Sequence, residues 1–213
     1  MTDTAREDRK QADTYDNAAE KIGWQGPSLV FDLLSPHIRP GQTVLDIGIG
    51  TGLGSEPLFL AGLNITGMDL SEDMLRVCRK KGFVTCLVRH DLTVAPYPFG
   101  DASFDHVIST GVFQFFADLN PVFCEVARLL KTEGRFAFIT GDRTPEDPAE
   151  IIAGPEQTGT EESVTMYRHT PEVVSLWLER NGLRLEISRG FSVWMDEAHT
   201  KILPARVYLV KKV

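Results

Sequence analysis

The chain predicts a doubly wound α/β fold: a seven-stranded, mostly parallel sheet with helices on both faces and an antiparallel C-terminal edge pair. Three observations lead there. Short apolar runs alternate with helical patterns at the spacing of βαβ units, which close right-handed over a parallel sheet. The first run leads into VLDIGIGTGLG, which places Gly48, Gly50, Gly52 and Gly54 in a tight turn region. The last two apolar runs have only a connection between them, as an antiparallel pair does.

Taken in order, residues 1 to about 14 read as a polar arm, frayed or helical, and YDNAAEKIG after it as a short helix. Pro27 opens a helical stretch through LVFDLL, because a first turn tolerates proline. Thr43 to Ile47 is a strand buried on both faces, Gly54 to Ala61 a helix stopped by Gly62, and Asn64 to Met68 a second strand. Ser71 caps a helix with Glu72 and Asp73 in its first turn and Arg79, Lys80 and Lys81 in its last, matching the macrodipole, and Gly82 ends it. Phe83–Val88, Phe104–Ser109 and Arg135–Thr140 read as further strands. Asn120 and Pro121 cap and open a helix whose apolar face is Val122, Phe123, Val126, Leu129 and Leu130. Arg143 to Thr165 reads as an irregular insertion over the sheet edge. Thr170, Pro171 and Glu172 then open a helix through Trp177 and Leu178, followed by strands at Leu183–Ser188 and Ala205–Val210.

The totals exclude several classes. A length of 213 residues with 42% hydrophobic and 24% charged residues fits one soluble globular domain. The formal charge of −8, with basic residues scattered, argues against a nucleic-acid backbone as partner. No apolar run approaches the roughly 18 residues of a membrane span. The polar start, MTDTAREDRKQADTYD, has no apolar signal segment, so the expected location is the cytoplasm. Cys78, Cys86 and Cys124 have neither disulfide nor zinc spacing. No motif sets the oligomeric state.

Glycine-rich turns behind a first strand serve both dinucleotides and S-adenosylmethionine. A GxGxxG pattern begun at Gly48 fails at Leu53, and one begun at Gly50 reaches Ser55. Asp69, about 20 positions on, suits the ribose hydroxyls of either ligand. Asp46 is more informative, since a carboxylate ending the first strand is awkward for a pyrophosphate and suits a ligand carrying an ammonium and a sulfonium.

From Tyr15 to Ala137 the sequence resembles the class I S-adenosylmethionine-dependent methyltransferases of small-molecule type. The resemblance rests on VLDIGIGTG, GMDLSEDML, HDL, FDHVISTGVFQF and LKTEGRFAFI, in that order. It implies that Asp46 lies by the cofactor's amino-acid end, that Gly48, Gly50 and Gly52 let the backbone approach it, and that Asp69 holds the ribose hydroxyls. It further implies Leu70, Asp91 and Leu92 around the adenine, Ser109, Thr110 and Gly111 beneath the methionyl portion, and Tyr15 as a lid residue. Ile49 stands where the family more often has a small residue or Cys, and its side chain is expected to point away from the ligand. No Asp/Asn-Pro-Pro-Tyr follows the fourth strand, so the amino-group methylation of adenine, cytosine or glutamine that goes with that motif is not expected; no acidic metal cluster of the catechol type is evident, so no metal is expected. Gln114 and Phe115 occupy positions where relatives often carry two histidines, which leaves the residue facing the acceptor unassigned; the catalytic candidates are His169, Tyr15 and Gln114. Phe113, Phe115, Phe116, Tyr15, Trp24 and Tyr167 are candidate pocket aromatics, and Arg143 and Arg168 candidate partners for a substrate carboxylate.

The resemblance implies methyl transfer to an unidentified small molecule, the acceptor atom (O, N, S or C) being unassigned. Two alternatives are a non-catalytic protein that binds S-adenosylmethionine or S-adenosylhomocysteine, and an NAD-dependent oxidoreductase. The domain is read as an arm and lid helices (1–40), a cofactor-binding core (41–142), an acceptor-side cover (143–169), and a C-terminal helix and strand pair (170–213).

Overall fold

Apolar runs without polar alternation form strands covered on both faces, and three of them lie at the middle of the sheet. These are β1 (Thr43–Ile47), β4 (Phe104–Ser109) and β5 (Leu130–Asp142). A computed structural model describes residues 3–154 and 163–213, with no side-chain description before residue 9. Beyond β1 lie β2 (Asn64–Asp69) and β3 (Cys86–Arg89), and the order β3-β2-β1-β4-β5 is parallel throughout. β9 (Ile202–Lys212) then runs antiparallel to β5, and β8 (Leu183–Trp194) antiparallel to β9. The seven strands expected are these, with β8 and β9 as the antiparallel C-terminal pair, β9 against β5 and β8 outermost.

The insertion departs from expectation. Among the described residues, β6 (Glu150–Ala153) and β7 (Val164–His169) pair antiparallel, and β7 continues parallel from the end of β5 through Gly141–Arg168 and Asp142–His169. Residues 155–162 of that insertion lie outside the described residues. Extending β5 to Asp142 supplies the backbone ladder that Arg168 and His169 join, a non-local partner invisible to a local pattern. Ala153 and Met166 of this hairpin pack with Leu203 of β9 as a small separate core.

In the N-terminal segment the arm is helical, and it runs unbroken into the short helix as α1 (Asp3–Lys21), closed by Gly23 at φ +62°. α2 (Gly26–Leu34), α3 (Glu56–Leu60) and α4 (Glu72–Lys81) cover one face of the sheet through Val30, Leu34, Leu58, Leu75 and Cys78. α3 is shorter than predicted because the glycine turn runs on to Ser55. α4 is capped as read, Ser71 Oγ accepting from Met74 N–H and Gly82 standing at φ +74°. α5 (Asn120–Leu129) and α6 (Pro171–Arg180) cover the other face. Asn120 is not the cap of α5: Asp118 takes the Asn120 N–H, and Asn120 Oδ1 accepts from Asn181 on the α6 side. Among the described residues no helix is long and apolar enough to cross a membrane.

Under α5 the core is aromatic. Phe136 and Phe138 stack at 4.4 Å and Phe138 and Tyr208 at 4.8 Å, while Phe123 meets Phe113, Phe136, Phe138 and Trp177 edge-on or tilted. Phe123 is fully buried. Phe123→Ala is expected to lower unfolding free energy by about 3–5 kcal/mol, measured by urea denaturation at unchanged m-value.

Candidate functional site

β1, β2 and β4 end side by side, and the chain leaving β1 must turn sharply to enter α3. Gly48, Gly50 and Gly52 make that turn at φ +72°, +54° and +89°, a region costly for residues with a Cβ. The N–H groups of Gly48 and Ile49 both reach the Met68 carbonyl, at 2.9 and 3.0 Å. A Cβ on Gly48 would lie 2.7 Å from Val112, whereas one on Gly50 would meet nothing within 4 Å. The loop is therefore packed at its base and open at its crest. Ile49 folds back over Gly67 and is 4% exposed, so its side chain points into the core as expected.

Asp69 holds the crest. Its Oδ2 accepts from Gly50 N–H and its Oδ1 from Ser71 N–H, both at 2.8 Å. Burial raises its pKa against the opposing pull of those N–H bonds. Beside it Leu70 is 57% exposed, an apolar side chain left at the rim. Asp46 is wholly buried; Oδ2 accepts from Ser55 Oγ at 2.6 Å, and Oδ1 has no partner among the described residues. Burial, with the nearby charge of Asp69, pushes its pKa up to about 7, opposed by the Ser55 hydrogen bond.

At the end of β4, Ser109 Oγ donates to the Ile47 carbonyl (2.9 Å) and the Thr110 side chain abuts Gly54. Tyr15 of α1 comes over this edge, its hydroxyl 3.9 Å from where a Cβ on Gly111 would stand. Burial and the charges of Asp16 and Asp69 hold the Tyr15 hydroxyl above its ordinary pKa range. The structure thus brings Tyr15, Asp46, Gly48, Gly50, Gly52, Asp69, Leu70, Thr110 and Gly111 to one end of the sheet. Asp91 and Leu92 follow β3 on its flank. Asp91 Oδ1 accepts from the N–H and hydroxyl of Thr93, and Leu92 is 8% exposed in the core.

Two of the three catalytic candidates, Gln114 and His169, are held by structural contacts, whereas Tyr15 lies over the site. Gln114 Nε2 donates to the Gly111 carbonyl at 2.9 Å. His169 is buried edge-on against Trp177, with Nε2 at 3.3 Å from the Ala117 carbonyl and burial lowering its pKa. Arg143 donates to the carbonyls of Arg168, Thr144, Pro145 and Asp147, and Arg168 to that of Pro148, so both organise the β5–β6 connection. Phe113 lies in the core, Phe115 is 47% exposed, and Trp24 contacts Phe191. A cavity of about 500 Å³ opens beside α1, walled by Trp24, Phe31, Leu53 and Leu60. Sequence reasoning missed Ser55 as the partner of Asp46 and Asp16 as a contact of the loop at Thr51. A hydroxyl nine residues from an aspartate carries no local signal of pairing.

The parallel order β3-β2-β1-β4-β5, with an antiparallel strand between β5 and the edge and a glycine turn clasped by an acid from β2, defines a nucleotide-cofactor α/β fold of methyltransferase type. Residues 45–138 match the family model described as a methyltransferase domain. A ubiquinone biosynthesis O-methyltransferase of Dinoroseobacter shibae is 32% identical over 75% of this chain and 66% of its own. A demethylmenaquinone methyltransferase of Tropheryma whipplei is 32% identical over 46% of this chain and 41% of its own. The chain therefore spans less than two thirds of the length of these relatives. A solved S-adenosylmethionine-dependent methyltransferase of Methanosarcina mazei shares the fold at a TM-score of 0.72 and 17% identity, over 85% of this chain and 97% of that one. Residues 45–138 thus carry a methyltransferase domain by sequence, in a fold shared with solved S-adenosylmethionine-dependent methyltransferases.

Because the folded state holds the Asp46 proton up to about pH 7, this group contributes stability fully below the ordinary carboxylate pKa and loses it as pH rises through 7. Asp46→Asn, neutral at every pH, should gain stability relative to wild type between pH 4 and 7.5 by on the order of a few kcal/mol. Urea denaturation of both proteins across that range measures the difference.

Proposed function

We propose that this protein transfers a methyl group from S-adenosylmethionine to a small-molecule acceptor. The observation that carries the reading is the glycine turn, open above Gly50, clasped by Asp69 from below and overhung by Tyr15 at Gly111. The residues fit the cofactor. The unpartnered Asp46 Oδ1 suits an ammonium, Asp69 retains lone pairs for ribose hydroxyls, and the exposed Leu70 offers an apolar surface to a flat base. When bound, S-adenosylmethionine supplies a methyl group activated by its positively charged sulfur. The chain's own task is to orient the acceptor and exclude water, and orientation alone is worth roughly 7–11 kcal/mol.

His169 is 5% exposed, with its Nδ1 shut away from solvent, and Gln114 is an amide with no basic lone pair, which favours an acceptor that arrives with its attacking lone pair free and needs no base. Free cysteines at Cys78, Cys86 and Cys124 are in keeping with a reducing, cytoplasmic setting. The domain division is proposed accordingly: α1 and α2 cover the site, residues 41–142 hold the cofactor, and residues 143–169 border the acceptor.

Calorimetry with S-adenosylmethionine, S-adenosylhomocysteine and NAD is expected to show binding of the two adenosyl compounds alone; binding of NAD without them would sink the reading. Asp69→Ala should weaken binding by about 1–3 kcal/mol through loss of ribose hydrogen bonds and of the Gly50 clasp. If the ionised Asp46 faces the ammonium, affinity should fall below pH 7, approaching about tenfold per pH unit, and Asp46→Asn should flatten that profile. His169→Asn should keep turnover within about tenfold of wild type, since a lost general base typically removes 10²–10⁴-fold.

A further inference from the structure

α1 crosses the site and carries carboxylates on one side of the helix, Asp13 and Asp16 being three residues apart. Asp13 pairs with Arg76 of α4 at 2.8 Å, and Asp73 holds the same guanidinium at 3.3 Å. Asp16 does something different. Its Oδ2 pairs with Lys81 Nζ at the end of α4, and its Oδ1 accepts from the hydroxyl of Thr51. Thr51 is 1% exposed and sits in the glycine turn between Gly50, whose N–H is held by Asp69, and Gly52. The turn is thus fastened from the sheet by Asp69 and from the N-terminal helix by Asp16.

The two acidic contacts of α1 differ in weight. Exposed ion pairs such as Asp13–Arg76 are screened and contribute little. A buried hydroxyl donating to a carboxylate is a charge-assisted hydrogen bond, and moving α1 away deprives Thr51 Oγ1 of that acceptor. Tyr15 is the residue before Asp16, so the Thr51 contact also sets where its hydroxyl falls over Gly111.

We propose that Asp16 is a positioning residue that latches α1 onto the glycine turn through Thr51, making cofactor occupancy of the turn and closure of α1 one coupled equilibrium. The inference rests on the cofactor reading above. A ligand that fixes the turn presents Thr51 to Asp16, and a docked α1 holds the turn in its ligand-binding shape. By linkage the two effects are equal in size, so whatever factor docking adds to affinity, the ligand adds to docking.

The test is hydrogen exchange across residues 9–21 of the full chain, with and without S-adenosylhomocysteine, beside calorimetry of the same samples. In wild type the compound should slow exchange in that segment. In Asp16→Ala and Thr51→Val the slowing should vanish and affinity fall about tenfold, while β1 and α4 still respond to the ligand. Thr51→Ser, which keeps the hydroxyl, should retain the response and shows that the turn tolerates substitution. Asp13→Asn, which removes only an exposed pair, should retain it as well. A full response in Asp16→Ala, or its equal loss in Asp13→Asn, would overturn the latch. Binding by wild type with no change across residues 9–21 overturns the latch alone, whereas no binding by wild type overturns the cofactor reading along with it.

Discussion

One carboxylate governs the geometry of the site. Asp69 ends β2 and accepts backbone N–H groups from two other segments, Gly50 of the turn after β1 and Ser71 at the head of α4. A glycine turn has little stiffness of its own, because the positive φ angles that shape it are cheap only where no Cβ restricts them. The clasp fixes the turn's crest relative to the sheet, and the placement of Thr51, Leu70 and the α4 N-terminus follows from it.

Asp46 shows the cost of such a site. A wholly buried carboxylate with one oxygen unpartnered is unfavourable to ionise, and its pKa near 7 expresses that. The aromatic block of Phe123, Phe136, Phe138 and Tyr208, together with the long β8–β9 ladder, supplies the surrounding rigidity. α1 lies at the other extreme, holding to the rest through Asp13, Asp16 and Lys21 at α4, the glycine turn and Glu197. Beside these polar contacts, the buried apolar side chains among the described residues of α1 are the small Ala12 and Ala19.

Much of this was legible in the residues. The run from Val44 to Ile47 had to be a strand, the glycines after it had to turn, and Ser71 with Gly82 had to bound a helix, because each choice follows from local sterics and backbone hydrogen bonding. The order of motifs from Tyr15 to Ala137 pointed to the cofactor class. Asn120 misled because an Asn before Pro looks like a cap, whereas Asp118, two residues earlier, takes that N–H. The β6–β7 hairpin was hidden because its ladder depends on the last residues of β5.

By itself, and outside the β6–β7 hairpin, the sequence determined which segments are strands and helices, where the chain turns, and that acids stand at the ends of β1 and β2, since these depend on neighbours within a few positions. Only the tertiary structure decided which partners those acids take. Ser55 on Asp46, Gly50 on Asp69 and Thr51 on Asp16 are fixed by how strands and helices pack, at sequence separations of 9, 19 and 35 residues. Side-chain type sets what a group can bind; the fold sets which group comes within reach.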